Sequence, residues 1–326
     1  MEKNWLITGG CGFIGVNLVR SLQKTGAFVR VMDDLSGGSR QDLASVTEYA
    51  EAGSRGPAAG KVELMEGDVR RLEDCRQAAK NMDVVVHLAA QTGVIPSLED
   101  PFFDCEQNVT GVLNMLTAAR EAGIKKFVFA SSAAPLGEQE PPVHEEKVPK
   151  PLAPYGASKL AGEAYCSAFH GSFDMDTVVL RFSNVYGPYS FKKGSVVAKF
   201  FRRALAGKPL IIYGDGEQTR DFIHAEDLCR AILSAAEKDV GGEVFQIATG
   251  RETSVNELSA KIKQLVESAR DIEVPIVYEP PRAGEIKNNY ADIGKARRML
   301  DYGPKITLED GLQETGDWFL GTMSGD

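Results

Sequence analysis

Tyr155 and Lys159 stand four residues apart, and Ser158, Leu160, Ala161, Glu163 and Ala164 around them form a helix-compatible run. One helix face should therefore carry both side chains. A nearby ammonium favours phenolate and lowers a phenol pKa that starts at about 10, which makes a tyrosine a usable base. The spacing points to removal of a hydroxyl proton, and Lys159 can also hold the ribose of a bound nucleotide. Ser131 and Ser132 end the apolar run at 127–130. A hydroxyl there can donate to a substrate oxygen as Tyr155 takes its proton, although paired serines also cap helices.

A second group of residues can hold a dinucleotide. Gly9, Gly12 and Gly15 recur every three residues after Leu6-Ile7 and just before the amphipathic pattern Phe13, Ile14, Val16, Leu18, Val19, Leu22. This is a strand, a tight turn and a helix start, where backbone N–H groups and the helix dipole favour a pyrophosphate. One glycine makes the turn, one admits the phosphate, and one lets the helix pack closely. The next apolar run, 28–32, ends in Asp33, about 20 residues beyond the turn. A carboxylate there accepts from ribose hydroxyls and repels a 2′-phosphate, so NAD is expected rather than NADP. No arginine stands in Asp34-Leu35-Ser36-Gly37-Gly38, but Arg40 lies close enough to leave NADP open.

The elements that must position these groups alternate: strand-like runs at 62–65, 84–88 and 127–130, and helical ones at 72–80 and 103–122. That order predicts an α/β fold, a Rossmann-type doubly wound parallel sheet with helices on both faces. Ligands then lie outside the carboxyl ends of the strands. Those ends are Asp68-Val69, Leu88-Ala89-Ala90-Gln91, Ser131-Ser132 and Arg181-Phe182-Ser183-Asn184. Residues 49–60 are small and turn-rich and read as a surface connection. After residue 184, glycine and proline interrupt shorter apolar runs, as in Val185-Tyr186-Gly187-Pro188 and Gly214-Asp215-Gly216. We expect a cofactor domain at 1–184 with return segments near 220–250, and a smaller C-terminal substrate lobe mainly within 185–326. Arg220 and Arg282, in loop-like surroundings, can supply guanidinium groups to a pyrophosphate.

Composition removes other classes. The net charge of −9, with basic spots no larger than Lys192-Lys193 and Arg202-Arg203, makes nucleic acid and anionic membranes poor partners. No apolar run reaches the roughly 18 residues of a membrane span, and no signal peptide precedes the first strand, so a cytoplasmic location is expected. Five scattered cysteines and four isolated histidines suggest neither a disulfide framework nor a metal site.

From residue 1 to about 315, the ordered set of the glycine turn, Asp33, Gly67-Asp68-Val69, His87-Leu88-Ala89-Ala90-Gln91, Asn108, Ser131-Ser132, Tyr155-x-x-x-Lys159, Arg181 to Pro188 and Arg220-Asp221-Phe222-Ile223-His224 resembles the extended short-chain dehydrogenase/reductases. More narrowly, it is similar to the NDP-sugar epimerase/dehydratase branch. The resemblance implies that Asp68 and Val69 flank the adenine, that Leu88, Ala89 and Ala90 lie along the middle of the cofactor with Ser131 nearby, and that Asn108 holds the site together. It also implies that Asn184, Arg220 and Arg282 grip a nucleotide diphosphate, while Ser195, Val196 and Tyr213 line the nucleobase.

Within that family, dehydratases carry a Thr-Asp-Glu triplet and UDP-glucuronate decarboxylases a glutamate where this chain has Ser132-Ala133-Ala134. Lacking that acid, elimination is disfavoured and a 4-epimerase pattern remains, in which a UDP-sugar passes through a 4-keto form. Pro135-Leu136-Gly137 replaces the usual Val-Tyr-Gly, and Asn289 stands where some galactose epimerases place a tyrosine. The smaller side chain leaves room for an N-acetyl group; a sugar of the UDP-glucose, UDP-N-acetylglucosamine or UDP-glucuronate type is expected, with N-acetylhexosamines tolerated or a uronic acid the true substrate. A 4-keto-sugar reductase and a silent NAD-binding sensor are the alternatives. The resemblance further implies a homodimer joined through 103–122 and 157–169, though those apolar stripes serve equally as core.

Overall fold

The computed structural model describes residues 3–53, 61–281 and 287–323. Its central sheet contains β1 (Asn4–Thr8), β2 (Phe28–Asp33), β3 (Ala50–Glu51), β4 (Val62–Glu66), β5 (Val84–His87), β6 (Lys126–Ser132) and β7 (Asp176–Phe182). After β8 (Asn184–Tyr186), β9 (Leu210–Tyr213), β10 (Thr219–Arg220) and β11 (Phe222–His224), the chain returns to that sheet as β12 (Val244–Ile247). β13 (Thr253–Ser254) and β14 (Ile276–Glu279) lie outside it. The order is β12-β7-β6-β5-β1-β2-β4-β3, parallel throughout. The chain reverses its direction of travel across the sheet between β1 and β5, and the crevice above that pair is the ligand position of a doubly wound sheet.

Strand sequence sorts the two faces. In β1, Trp5 and Ile7 join a core with Val29, Val31, Val84 and Val86, whereas Leu6 joins Met32, Val85, Phe127 and Phe129 on the opposite side. Period-two alternation of apolar residues that are all buried is what a sheet covered on both faces requires. On one face lie α1 (Phe13–Gln23) and, later in the chain, the helix at Ala225–Glu237; α2 (Arg40–Ala44) is a short turn following β2. The other face is covered by α3 (Leu72–Ala79) and the segment from 94 to 121.

That segment differs from the single helix expected at 103–122. It comprises α4 (Val94–Glu99), α5 (Pro101–Cys105), a π-helical turn at Glu106–Thr110 and α6 (Gly111–Glu121). Asp100 caps α5 by accepting from Phe103 N at 2.9 Å, with Pro101 at the first helical position. Within the expected surface connection at 49–60, Ala50–Glu51 adds a strand to the sheet edge, and 54–60 lie outside the described residues.

The later part of the chain has its own core. α7 (Pro154–Phe173) packs on the sheet, while α8 (Val196–Leu205), α10 (Val255–Arg270) and α12 (Leu308–Met323) enclose Phe201, Leu258, Ile262 and Phe319; α9 (Ala225–Glu237) and α11 (Gly294–Leu300) stay with the sheet. Phe201 and Phe319 stack at 5.4 Å. No described helix is long and apolar enough to cross a membrane.

Candidate functional site

The glycine turn is fixed by contacts that a side chain would abolish. Gly9 has φ +68°, and a Cβ there would come within 2.8 Å of Ala89 N. At Gly15 a Cβ would lie 2.4 Å from Gly10 Cα and from Gly9 O, so α1 starts pressed against the turn. Gly12 is the N-cap of α1, without a side-chain cap and with no acidic residue in the first turn, and Phe13 and Ile14 open the helix. Its Cβ would meet only Gly9 O, at 3.3 Å. The helix thus offers an anion an N-terminus that no carboxylate of its own first turn fills.

Asp33 is buried at the carboxyl end of β2 and accepts from Cys11 N and Leu35 N, both at 2.8 Å. Each carboxylate oxygen keeps a lone pair for a ribose hydroxyl. Burial raises the Asp33 pKa, against the pull of those two N–H groups. Asp34 accepts from Ser36 N at 3.0 Å and Ser36 Oγ at 2.6 Å, which shapes the loop through Gly37. Arg40 pairs with Glu51 and with Glu66, the latter at 2.7 Å, and Glu66 stands opposite Asp33 in register. The guanidinium that left a 2′-phosphate open is thereby committed to two carboxylates.

At the neighbouring strand ends, the Asp68 carboxylate is held by Arg70 at 2.6 Å, which lowers its pKa, and Val69 is buried. Leu88 N and Ala89 N donate to Thr8 O and Thr8 Oγ1 at 3.1 and 3.2 Å, and half-buried Ala90 follows. A cradle that a Cβ would fill, an uncapped helix and a strand-end carboxylate together fit a dinucleotide.

Tyr155 and Lys159, the residues expected to move a proton, sit on α7. A Cβ at Gly156 would come within 2.6 Å of Ala134 O, so only glycine lets the first turn of α7 lie against the 3₁₀ turn Ala134–Leu136 that follows Ser132. Burial pushes the Tyr155 phenol up to about 12, partly offset by the Ser132 hydroxyl, and pushes Lys159 down to about 8. The Lys159 ammonium donates to Ala130 O at 2.9 Å and lies 5.0 Å from the centre of the Phe129 ring. The Asp104 carboxylate adds to the rise at Tyr155, so in the protein without cofactor burial and that carboxylate set the phenol's pKa.

Ser131 and Ser132 separate in role. Ser131 Oγ donates to Glu163 Oε1 at 2.5 Å, and Glu163 holds Arg181 through bonds of 2.9 and 2.7 Å, all three buried. Ser131 thus buttresses α7 against the sheet. Ser132 accepts from Ala134 N at 3.2 Å and stays beside Tyr155.

Asn108 lies in the π-helical turn, fully buried, with Nδ2 within 2.9 Å of Gln91 O, 3.0 Å of Asp104 Oδ1 and 3.2 Å of Ser158 Oγ. It joins the exit of β5 to the catalytic helix. Asp104 and Glu163 escaped the sequence reading, although Asp104 stands one helical turn before Asn108 and was findable by that spacing. Asp104 Oδ2 and Asn108 Oδ1 are buried without a hydrogen-bond partner.

Among the residues expected to hold a substrate, Asn184 opens β8 and donates its N–H to Asp221 O at 3.0 Å, and it pairs with Phe222, two residues from Arg220. Arg220, on β10, donates to Thr219 O at 2.7 Å. Ser195 is the N-cap of α8, its Oγ buried without a partner, and Val196 begins that helix. Tyr213 closes β9. Arg282 lies outside the described residues. Lys193, noted in the sequence only as half of a basic pair, reaches Thr92 Oγ1 at 3.3 Å. Among the described residues no group of His, Cys, Asp and Glu is placed to hold a metal, and the five cysteines are free.

Comparison with known proteins agrees with this geometry. The sequence model of the NAD dependent epimerase/dehydratase family matches residues 5–248. A putative UDP-glucose 4-epimerase of Methanocaldococcus jannaschii is 36% identical over 317 residues, covering 96% of this chain and 97% of that protein. The UDP-glucose 4-epimerase of Thermotoga maritima, solved with UDP-glucose, superposes with TM-score 0.87 at 35% identity, covering 98% of this chain and 99% of that one. The UDP-N-acetylglucosamine 4-epimerase of Methanobrevibacter ruminantium, in complex with UDP-N-acetylmuramic acid, gives 0.88 at 33%, covering 99% of each. With the glycine turn, Asp33 and the Tyr155–Lys159 helix all on one crevice, the match over the whole sheet means that this chain belongs to the NAD-dependent epimerase/dehydratase family.

Proposed function

We propose that the protein is a UDP-sugar 4-epimerase working through a transient 4-keto sugar. The observation that carries this reading is the pairing of Tyr155 with Ser132 at a strand end followed by Ala133-Ala134, which supplies a hydroxyl base and a hydroxyl donor but no carboxylic acid on that turn. Bound NAD supplies the hydride acceptor and later the hydride donor at C4, and its positive ring adds to the charge favouring phenolate. Tyr155 takes the 4-hydroxyl proton and returns it after the ring has turned over. Ser132 holds the C4 oxygen, and Lys159, braced on Ala130 O, holds the nicotinamide ribose and stabilises the phenolate. Asn184, Arg220 and Arg282 grip the diphosphate that stays fixed while the sugar turns; Ser195, Val196 and Tyr213 line the uracil. Asn289 leaves space at the sugar's C2 substituent, which lets an N-acetylhexosamine be accepted; a uronic acid, which differs at C6, is the other candidate substrate.

Purified protein with UDP-glucose, UDP-N-acetylglucosamine and UDP-glucuronate, and no reductant, should invert C4 of one of them, followed by proton NMR. Stoichiometric use of NADH with a 4-keto sugar would instead make the protein a reductase. We further propose a homodimer joined through 103–122 and α7, next to the exposed side chains Val94, Ile95, Leu98 and Phe102.

A further inference from the structure

The loop between β8 and α8 brings one lysine into the cleft. Arg202 of α8 donates to the carbonyl oxygens of Phe191 and Lys193, the latter at 2.9 Å, and the Phe191 ring packs on Phe319 at 5.6 Å. The loop is therefore braced from behind, and Lys193 Nζ crosses to Thr92 Oγ1 at 3.3 Å. Thr92 adjoins Gln91, whose carbonyl oxygen faces Asn108 at 2.9 Å, and Asn108 contacts Ser158 on the catalytic helix. Through these contacts Lys193 stands on the Tyr155 side of the cleft.

We propose that Lys193 reads a negative charge on the C6 substituent of the sugar and makes a UDP-uronic acid the preferred substrate. This deepens the 4-epimerase reading and rests on it. Within a pyranose, C4 must lie at Tyr155 and C1 carries the diphosphate at the far side of the ring. C5, with its C6 group, adjoins C4. C3 adjoins C4 as well, but of the groups on C3 and C5 only the C6 carboxyl of a uronic acid bears a charge for an ammonium on the Tyr155 side to meet, in one of the two orientations of the ring. The electrostatics agree: burial pushes the Lys193 pKa down, and its charge also depresses that of Lys159. Asp104 and Glu163 offset the charge of Lys159, whereas none of the described ion pairs gives Lys193 a carboxylate. A sugar carboxylate supplies that partner; a hydroxymethyl group does not.

The test compares UDP-glucuronate with UDP-glucose in wild type, Lys193→Met and Lys193→Arg, by C4 epimerisation and by calorimetric binding. Wild type should favour the uronate. Lys193→Met should lose roughly 30-fold or more in kcat/KM for UDP-glucuronate and under about threefold for UDP-glucose, with Lys193→Arg restoring most of the difference. Equal losses on both sugars would place Lys193 on the diphosphate or in loop closure, and no loss on either would make it a surface side chain; both overturn the inference. If wild type epimerises neither of these sugars nor UDP-N-acetylglucosamine, the reaction assignment fails, and the selective loss of UDP-glucuronate binding still decides the role of Lys193.

Discussion

The glycine turn and the catalytic helix stand on the carboxyl ends of the same sheet, yet they are made differently. Around the turn, backbone shape does the work: Gly9, Gly15 and Ala89 touch at distances that exclude a methyl group, and the nearby carboxylates of Asp33 and Asp34 are met by N–H groups. On α7 the ionisable groups are moved from their ordinary pKa values by burial, and the acids and amides behind them keep unpaired atoms. One site has its backbone shape set before a ligand arrives, with the α1 N-terminus and the Asp33 oxygens left open for it. The other holds electrostatic free energy that a ligand can release, which is where catalysis by preorganised charge is built.

The sharpest way to break this contrast is Tyr155→Phe. It removes one hydroxyl and should lower kcat by about 10³-fold, while NAD affinity and thermal midpoint stay close to wild type. Parallel loss of NAD binding would show that the two sites are not separable.

A smaller effect divides the turn itself. Gly15→Ala forces a methyl group into the Gly9 and Gly10 backbone, so it should destabilise the fold by about 1–3 kcal/mol in denaturant titration. Gly12→Ala meets one oxygen at 3.3 Å and should leave stability nearly unchanged while weakening NAD binding. If both variants unfold alike, the close approach of Gly15 to Gly9 and Gly10 is not what fixes the turn.

The smallest effect sharpens the other half. Lys159 has a folded pKa of about 8, below its ordinary 10.5, so burial disfavours its charged form. The unfolded chain holds that proton over a range where the folded one has lost it, and stability from this group rises with pH between those two values. Lys159→Met, inactive as an enzyme, should raise the thermal midpoint relative to wild type most below pH 8, and the advantage should shrink as pH approaches 10.5. A constant difference across that range would place the effect in packing.

Legibility followed the same division. Glycine spacing, alternating apolar runs and a strand-end aspartate are shape signals carried by single residues, and the parallel doubly wound sheet could be read from them. The turn against Ala89 was implicit in that pattern. The burial that raises the Tyr155 pKa and lowers that of Lys159 was not legible, because spacing gives proximity but not the water removed around each group. Ser131 could not be told from Ser132 until Glu163 and Arg181, distant in sequence, were seen beside it. The π-helical turn at Glu106–Thr110 has no period of its own, so a continuous helix was the simplest pattern for those residues.

β12 is paired with β7, although β8 to α9 lie between them in the chain. During synthesis, β7 therefore emerges with its outer edge bare and keeps it bare until Val244–Ile247 leaves the ribosome. Through that interval its backbone amides are a template for any stray strand. A pause in synthesis between residues 184 and 247 would lengthen the time for which that edge stands open.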